Sequence, residues 1–526
     1  MNKVEIDNIP MNDPAVWKMF ADGRTKGIFQ LESNLGRSWA KKVKPENEEE
    51  LAALISIIRP GSLKAMYQGK SMSQHYVDRK HGLEPVEYLH DSLIDILGPT
   101  YGVLIYQEQA MRIAQKLAGF TEEEADILRK AIGKKKADVM AAVKKDFMIG
   151  CAKVGIVTPE EAEEIFGWIE KSARYSFNKS HAAAYGKNGY WSAWFKTYHV
   201  REFFVAYFRY AKGKQDAHQE IYELASEAKL FNLELKTPSI ANFKKQFNCV
   251  GDKIYFGVKE IKALTGKNGD KAFEAVKDMI KLLDKKIENI SWIEILLFFS
   301  PNVNSTVFKT LASIGFFRGM KDRVTRNKAL YDYEIFRMLT KAETQWAISN
   351  YKKYKWKNLE ECLTTLAPTK KEGGGTSKED RKQAVLNEIR MLKNPPFSLE
   401  DDPEWVIDQE IKYLGCPVSM SKIEATDISG NTTCKEIADG KSGQKITIAA
   451  NITRVFNTKV KKEGASKGKD MSFLTIEDET CSLDTVVVFP EAREESKYSL
   501  FEGNNVIISG VAKGDGSLIV EKISDI

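Results

Sequence analysis

Near residue 440 the hydrophobic pattern of this chain changes period, and no other feature limits its fold as tightly. Upstream, from Glu48 to about Lys212, apolar residues recur mainly at helical spacing, as in Leu51, Leu54, Ile55 and Ile58 before a stop at Arg59-Pro60-Gly61. Downstream, Lys445–Ile452 alternates and is β-branched, and Met471–Ile476, Ser482–Phe489, Asn505–Val511 and Ser517–Ile523 read as further strands. A helical pattern, Pro490–Leu500, separates the third strand from the fourth. Five strands with a helix after the third predict an OB-fold barrel, with a small unrelated β-barrel as the alternative. The fold class is therefore α+β and multidomain: a mainly helical domain, a helical connector and a C-terminal five-stranded barrel.

The 526 residues are enough for about three or four domains. The expected division is a lead-in at 1–30, a helical domain at 31–215, a connector at 216–345, a helical and linker region at 346–439 and the barrel at 440–526. In the lead-in, turn signals at Asn8-Ile9-Pro10 and Asp13-Pro14 precede a short helix near Trp17–Phe20. Thr121-Glu122-Glu123-Glu124 is a capping box for a helix through Ala131, stopped at Gly133. Further helices are expected from Thr158 to Lys171 and from His181 through Tyr210, and short strands near Leu233–Leu235 and Lys253–Phe256. Lys370-Lys371-Glu372 before Gly373-Gly374-Gly375 reads as a flexible linker.

Composition removes several function classes. The six cysteines are far apart with no CxxC pair, and the six histidines form no HxxxH, so neither a disulfide framework nor a His/Cys metal site is expected. No apolar leader and no run of about 18 apolar residues occurs, which predicts a cytoplasmic protein without a membrane partner. A net charge of +6 is modest for this length, so a nucleic-acid partner must be argued from local clusters. Gly440-Lys441-Ser442 resembles a P-loop tail, but Lys435 stands where the first glycine belongs. No GxSxG and no Asp-x-Asp pair is present.

Tyr175-Ser176-Phe177-Asn178-Lys179-Ser180-His181 stands ahead of the strong helix former Ala182-Ala183-Ala184. Donors and a positive charge thus gather at a helix start, where free N–H groups point outward and suit phosphate and base contacts. A helix cap with polar decoration is the plainer alternative. Leu128–Lys136 (LRKAIGKKK) places five cations within eight residues, a density suited to a polyphosphate or a nucleic-acid backbone, although cations also favour any helix C-terminus. Tyr101–Gln109 and Gly27–Ser33 are weaker alone: the first can be a hydrogen-bonding support, the second a strand edge with a cap at Ser33. Between the first two barrel strands lie Lys459, Lys461, Lys462 and Lys467, with Phe456 and Phe473 as candidates for base stacking or, equally simply, for the core.

Taken in order, GIFQLES (27–33), Ile58-Arg59-Pro60-Gly61, Asp78-Arg79-Lys80-His81-Gly82, TYGVLIYQEQ (100–109), LRKAIGKKK (128–136) and FNKSHAAAY (177–185) resemble the fingers region of bacterial C-family replicative DNA polymerases, the polymerase III alpha subunit. Tyr255–Lys262 is similar to the start of that family's helix-hairpin-helix region, and Tyr413–Pro417 to the segment before its OB domain. The resemblance implies that Arg129 and Lys130 contact the triphosphate of an incoming dNTP. It implies that Tyr175, Asn178, Lys179, Ser180 and His181 line the nucleotide, and that Lys134, Lys135 and Lys136 touch DNA. The family usually carries two arginines at 129–130, and Lys130 loses the planar fork. Gly186-Lys187-Asn188-Gly189 replaces an apolar helical stretch; at about 1 kcal/mol per glycine, the helix is expected to bend or start later.

Family chemistry uses two metal ions held by palm carboxylates, and the missing Asp-x-Asp pair implies that this chain carries no catalytic and no metal-binding residue of its own. The expectation is a fingers and C-terminal subunit of a split polymerase, inactive alone. A palm-bearing fragment would hold Mg2+, residues 1–30 would lie beside it, and template-primer DNA and dNTP would be the substrates. A sliding clamp is a further family partner, for which Gln383–Asn387 is a poor copy of the usual peptide because its last position is polar. The alternative is a non-catalytic DNA-binding replication accessory derived from a polymerase.

Overall fold

The computed structural model of the chain describes residues 4–134, 137–172, 175–211, 213–460 and 464–526. It divides into two compact units, Met1–Val200 and Arg201–Ile526.

The first unit is helical. Helix α1 (Glu48–Ile57) is capped by Asn47, whose side-chain oxygen accepts the Glu50 N–H at 2.9 Å, and every residue from Leu51 to Ile57 is buried. Helices α2 (Gln107–Ala118) and α3 (Glu122–Lys134) follow, then Ala137–Val154 and Pro159–Ser172. These four share a core in which Phe147 lies between Phe120 and Phe166, with ring centroids 6.2 and 5.2 Å away. The expected capping box at Thr121 is present, the Glu124 N–H donating to Thr121 Oγ1 at 3.2 Å and the Thr121 N–H to Glu124 Oε2 at 2.8 Å. Gly133 does not end that helix, which continues to Lys134.

Helix α4 (Lys179–Tyr198) is the long rod of the unit, and neither a later start nor one element through Tyr210 is observed. It begins directly after Asn178 despite Gly186 and Gly189, and both glycines lie on the side of the helix that packs on α1 and the Phe29 turn. A Cβ on Gly186 would lie 3.7 Å from Ala52 N and Leu51 Cγ of α1, and one on Gly189 3.6 Å from the Phe29 carbonyl. It also stops at His199, in non-helical conformation, and Val200–Ala211 forms a separate helix instead of one element through Tyr210. Gly27–Leu31 is a run of turns instead of a strand edge, with positive φ at Gly27 (80°) and Gln30 (68°). Ser33 caps the next helix as expected, accepting the Gly36 N–H at 3.1 Å.

The second unit pairs the short strands Glu234–Lys236, Asn248–Val250 and Lys253–Tyr255 in one sheet, with the last in the middle. Helices then follow up to Pro403–Leu414, organised partly by a fully buried ion pair. Arg326 donates to Glu410 at 2.6 Å, to Ser419 Oγ at 2.8 Å and to the Ser313 carbonyl at 3.1 Å, while Glu410 accepts the Val418 and Ser419 N–H groups. The glycine run is a packed corner, not a flexible linker: Gly374 and Gly375 are buried and donate to the carbonyls of Thr369 and Leu366, both at 2.9 Å. A Cβ on Gly374 would meet the Pro368 carbonyl at 1.9 Å.

Strands β1 (Gly443–Lys459), β2 (Asp470–Glu477), β3 (Ser482–Val488), β4 (Asn505–Lys513) and β5 (Ser517–Asp525) close into a barrel of order β5-β3-β2-β1-β4. All pairs are antiparallel except β3 with β5, and a short helix, Pro490–Glu495, follows β3. The interior is filled by the alternate residues that the period-two pattern marks, among them Ile446, Ile448, Leu474, Val486, Ile508 and Leu518. This is the OB-fold barrel that the strand order predicts.

Candidate nucleotide and nucleic-acid interface

In the first unit, four of the sequence segments converge on the start of α4. Phe177 and Tyr106 form an isolated parallel bridge, in which the Phe177 N–H donates to the Ile105 carbonyl at 2.9 Å and the Gln107 N–H to the Phe177 carbonyl at 3.0 Å. Gln109 supports it from beneath: its buried side-chain oxygen accepts the Ile105 and Tyr106 N–H groups, each at 2.9 Å, and its amide donates to Thr100 Oγ1 at 2.7 Å. Gln109 is thus a structural hydrogen-bonding residue.

The backbone N–H groups at the helix start are largely occupied by side chains. Asn178 accepts the His181 N–H at 2.8 Å, and Glu108 accepts the Lys179 N–H at 2.9 Å. The sequence expectation of outward-pointing free N–H groups therefore gives way to a doubly capped start, and a carboxylate stands where an anion would meet the helix dipole. What this wall offers a ligand is side chains.

Those side chains are edge-packed rings and cations. Phe29, Tyr185, His181 and Phe177 form a chain of edge-on contacts, with centroid separations of 4.9, 3.9 and 5.4 Å along it. Ser180 and His181 are exposed, and Phe29 is 45% exposed. Lys179 Nζ pairs with Glu49 at 2.9 Å and lies 5.7 Å from the Tyr106 ring centroid. The Arg59 guanidinium lies over Phe177 at 4.5 Å. Tyr175 is half-buried, and burial pushes its hydroxyl above the usual tyrosine range, so it stays protonated as a donor at neutral pH.

Arg129 and Lys130 sit on α3, which packs against α2. Both engage Asp126, at 2.8 and 2.7 Å, and hydrogen bonds from Lys130 and then Arg129 hold that carboxyl below its ordinary range. Among the described residues no contact joins this pair to the aromatic chain. Lys135 and Lys136 lie outside the described residues, as does the side chain of Lys134.

On the barrel, Phe456 of β1 faces Phe473 of β2 across the pair, 63% and 40% exposed. The core alternative for these two rings is thereby excluded. Lys459 at the end of β1 pairs with Asp470 at 3.1 Å and also donates to the Gly468 carbonyl at 3.3 Å. Lys467 is exposed in the loop that follows, and Lys461 and Lys462 lie outside the described residues. Gln383 lies inside the helix Glu379–Lys393 and donates to Glu379 at 3.0 Å, so Gln383–Asn387 is not an extended peptide.

Among the described residues no group of three His, Cys, Asp or Glu side chains is placed to hold a metal ion, and no helix is long and apolar enough to cross a membrane. Sequence reasoning missed Arg59, Glu49 and the capping role of Glu108. Arg59-Pro60-Gly61 reads locally as a helix stop, and nothing near it in sequence points to Phe177.

Residues 1–155 match the family described as bacterial DNA polymerase III alpha subunit finger domain. Over almost its whole length the chain is similar to the DNA polymerase III subunit alpha of three bacteria. That of Aquifex aeolicus (strain VF5) is 31% identical over 509 residues, 96% of this chain and 38% of the relative. That of Pasteurella multocida (strain Pm70) is 30% identical, covering 97% of this chain and 41% of the relative. That of Haemophilus influenzae is also 30% identical, covering 98% and 41%. The chain thus spans about two fifths of the length of these curated relatives.

Proposed function

Because the chain belongs to the family of the bacterial DNA polymerase III alpha subunit, we propose that it is the part of a replicative DNA polymerase that holds the incoming dNTP and the template-primer. The observation that carries this reading is the wall at the start of α4, where the rings of Phe177, His181 and Tyr185 pack in series, the Arg59 guanidinium lies over Phe177 and Lys179 pairs with Glu49. Stacking faces suit a base, and the cations suit its phosphates.

In this reading Tyr175, Asn178, Lys179, Ser180 and His181 position the nucleotide, and Arg129 and Lys130 meet its triphosphate after exchanging Asp126 for phosphate oxygens. Lys134, Lys135 and Lys136 contact DNA. The barrel binds the single-stranded template through Phe456 and Phe473, with Lys459, Lys461, Lys462 and Lys467 on its backbone. The Mg2+ ions of polymerase chemistry find no donor set among the described residues, so no step here runs through them. A palm-bearing partner chain supplies their carboxylates. A sliding clamp would then be engaged by a surface other than the helical segment at Gln383.

Primer extension tests the reading, with this chain expressed together with a palm-bearing fragment. Extension should require both, and Arg129→Ala should raise the nucleotide KM or lower kcat while DNA binding stays close to wild type. Normal extension by this chain alone would overturn the split arrangement. Loss of DNA binding alone in Arg129→Ala would overturn the triphosphate assignment. The exposed Phe456–Phe473 pair favours a second reading, a non-catalytic DNA-binding accessory, since that pair needs no nucleotide to act. This reading would prevail if single strands bind but no dNTP does.

A further inference from the structure

We propose that Arg59 is a phosphate-contact residue of this wall, donating to a phosphoryl oxygen of the ligand that stacks beside Phe177; the inference rests on the nucleotide-binding reading above. The cations singled out from the sequence in this unit already have carboxylate partners where they are described: Lys179 has Glu49, and Arg129 and Lys130 share Asp126. The helix start is capped by Glu108 and Asn178. Arg59 differs. Its guanidinium has neither a hydrogen-bond nor an ion-pair partner among the described residues, and its contact is the face of Phe177 at 4.5 Å.

That contact orients the group without consuming its donors. A guanidinium held over a ring spends no N–H on a hydrogen-bond acceptor, so its planar fork stays available for two oxygens of a phosphate. Both ends of the pair are held. Phe177 is fixed by its two backbone hydrogen bonds to the Ile105–Gln107 segment, and Arg59 is extended immediately before Pro60, whose helix turn is closed by the Leu63 N–H on the Arg59 carbonyl at 3.1 Å. Arg59 is also half-buried, which strengthens a charged hydrogen bond relative to one in open water. A planar, pre-oriented and unneutralised donor beside stacking rings is the chemistry of phosphate recognition. The phosphate is either that of the incoming nucleotide or that of the DNA backbone.

Equilibrium binding to the full 526-residue chain separates the two sources: one arm uses dNTP and inorganic tripolyphosphate, the other a primer-template duplex over a salt series. Arg59→Ala should weaken one arm about tenfold, and Arg59→Lys should recover part of the loss because it keeps charge without the fork. Loss confined to the nucleotide arm assigns the triphosphate; loss in the DNA arm with a salt slope smaller by about one assigns the backbone. Phe177→Leu leaves Arg59 intact and should lose part of the same affinity. It also carries the comparison if Arg59→Ala fails to fold. Wild-type affinity in both arms for folded Arg59→Ala and Phe177→Leu overturns the inference. If Arg129→Ala still weakens dNTP binding in that case, the nucleotide reading survives. If the wild-type chain binds neither ligand, both fall.

Discussion

The carboxylate of Glu108 accepts the backbone N–H of Lys179 at 2.9 Å, so the first turn of α4 is capped from another helix 71 residues earlier. This bond ties the TYGVLIYQEQ segment to the FNKSHAAAY segment at the place where a ligand would approach. Glu108→Ala should leave that donor unpaired and cost about 1 kcal/mol, while Glu108→Gln keeps an acceptor and should cost less. Denaturant midpoints of the two variants, at unchanged slope, check the order.

Gly186 and Gly374 should respond to alanine with opposite signs. A Cβ at Gly186 has no neighbour closer than 3.7 Å and lies in a helix, so Gly186→Ala should stabilise by about 0.5–1 kcal/mol. A Cβ at Gly374 would lie 1.9 Å from the Pro368 carbonyl, so Gly374→Ala must displace the corner and destabilise. Melting curves of the two variants decide it; a stabilised Gly374→Ala would mean that the corner is loose.

Burial pushes the Glu388 carboxyl up to about 7, with Arg381 opposing and Glu343 reinforcing. One of its oxygens is buried without a hydrogen bond, and the nearest Arg381 nitrogen is 3.8 Å from the other. Its folded value lies above the ordinary 4.5, so the folded state holds the extra proton between these limits and stability falls as pH rises through them. Glu388→Gln should match wild type below about pH 4.5 and become progressively more stable than it up to about pH 7, with the gap then level. Stability measured from pH 4 to 8 tests this, and a gap that does not change with pH would remove Glu388 as its cause.

Phe456→Ala and Phe473→Ala should leave barrel stability nearly intact, because both rings are exposed. If the rings stack on bases, each change should weaken single-stranded DNA binding by about 1–3 kcal/mol. Unchanged affinity for oligo-dT in both variants would remove this face from the DNA path.

Legibility followed the range of the interactions involved. The barrel strands, the capping box at Thr121 and the cap at Ser33 could be read directly, since strand period, turn chemistry and capping spacing are written within a few residues. Gly374 and Gly375 misled because glycine is also the residue that lets a chain pack where no Cβ fits, as against Pro368 and Trp346. Gly186 and Gly189 misled for another reason: a Cβ would meet only ordinary contacts there, and the packing of the helix on α1 and the Phe29 turn outweighs their propensity cost.

The sequence by itself determined the change from helical to strand period near residue 440, the barrel and the likeness to the DNA polymerase III alpha subunit. Only the tertiary structure decided what occupies the wall: that Glu108 and Asn178 take the helix start, that Glu49 neutralises Lys179, and that Arg59 rests on Phe177 with its donors unused. The physical reason is that periodicity and caps are properties of neighbouring residues. Which charge meets which depends on how separate helices pack, and that packing is set by buried contacts across the whole unit.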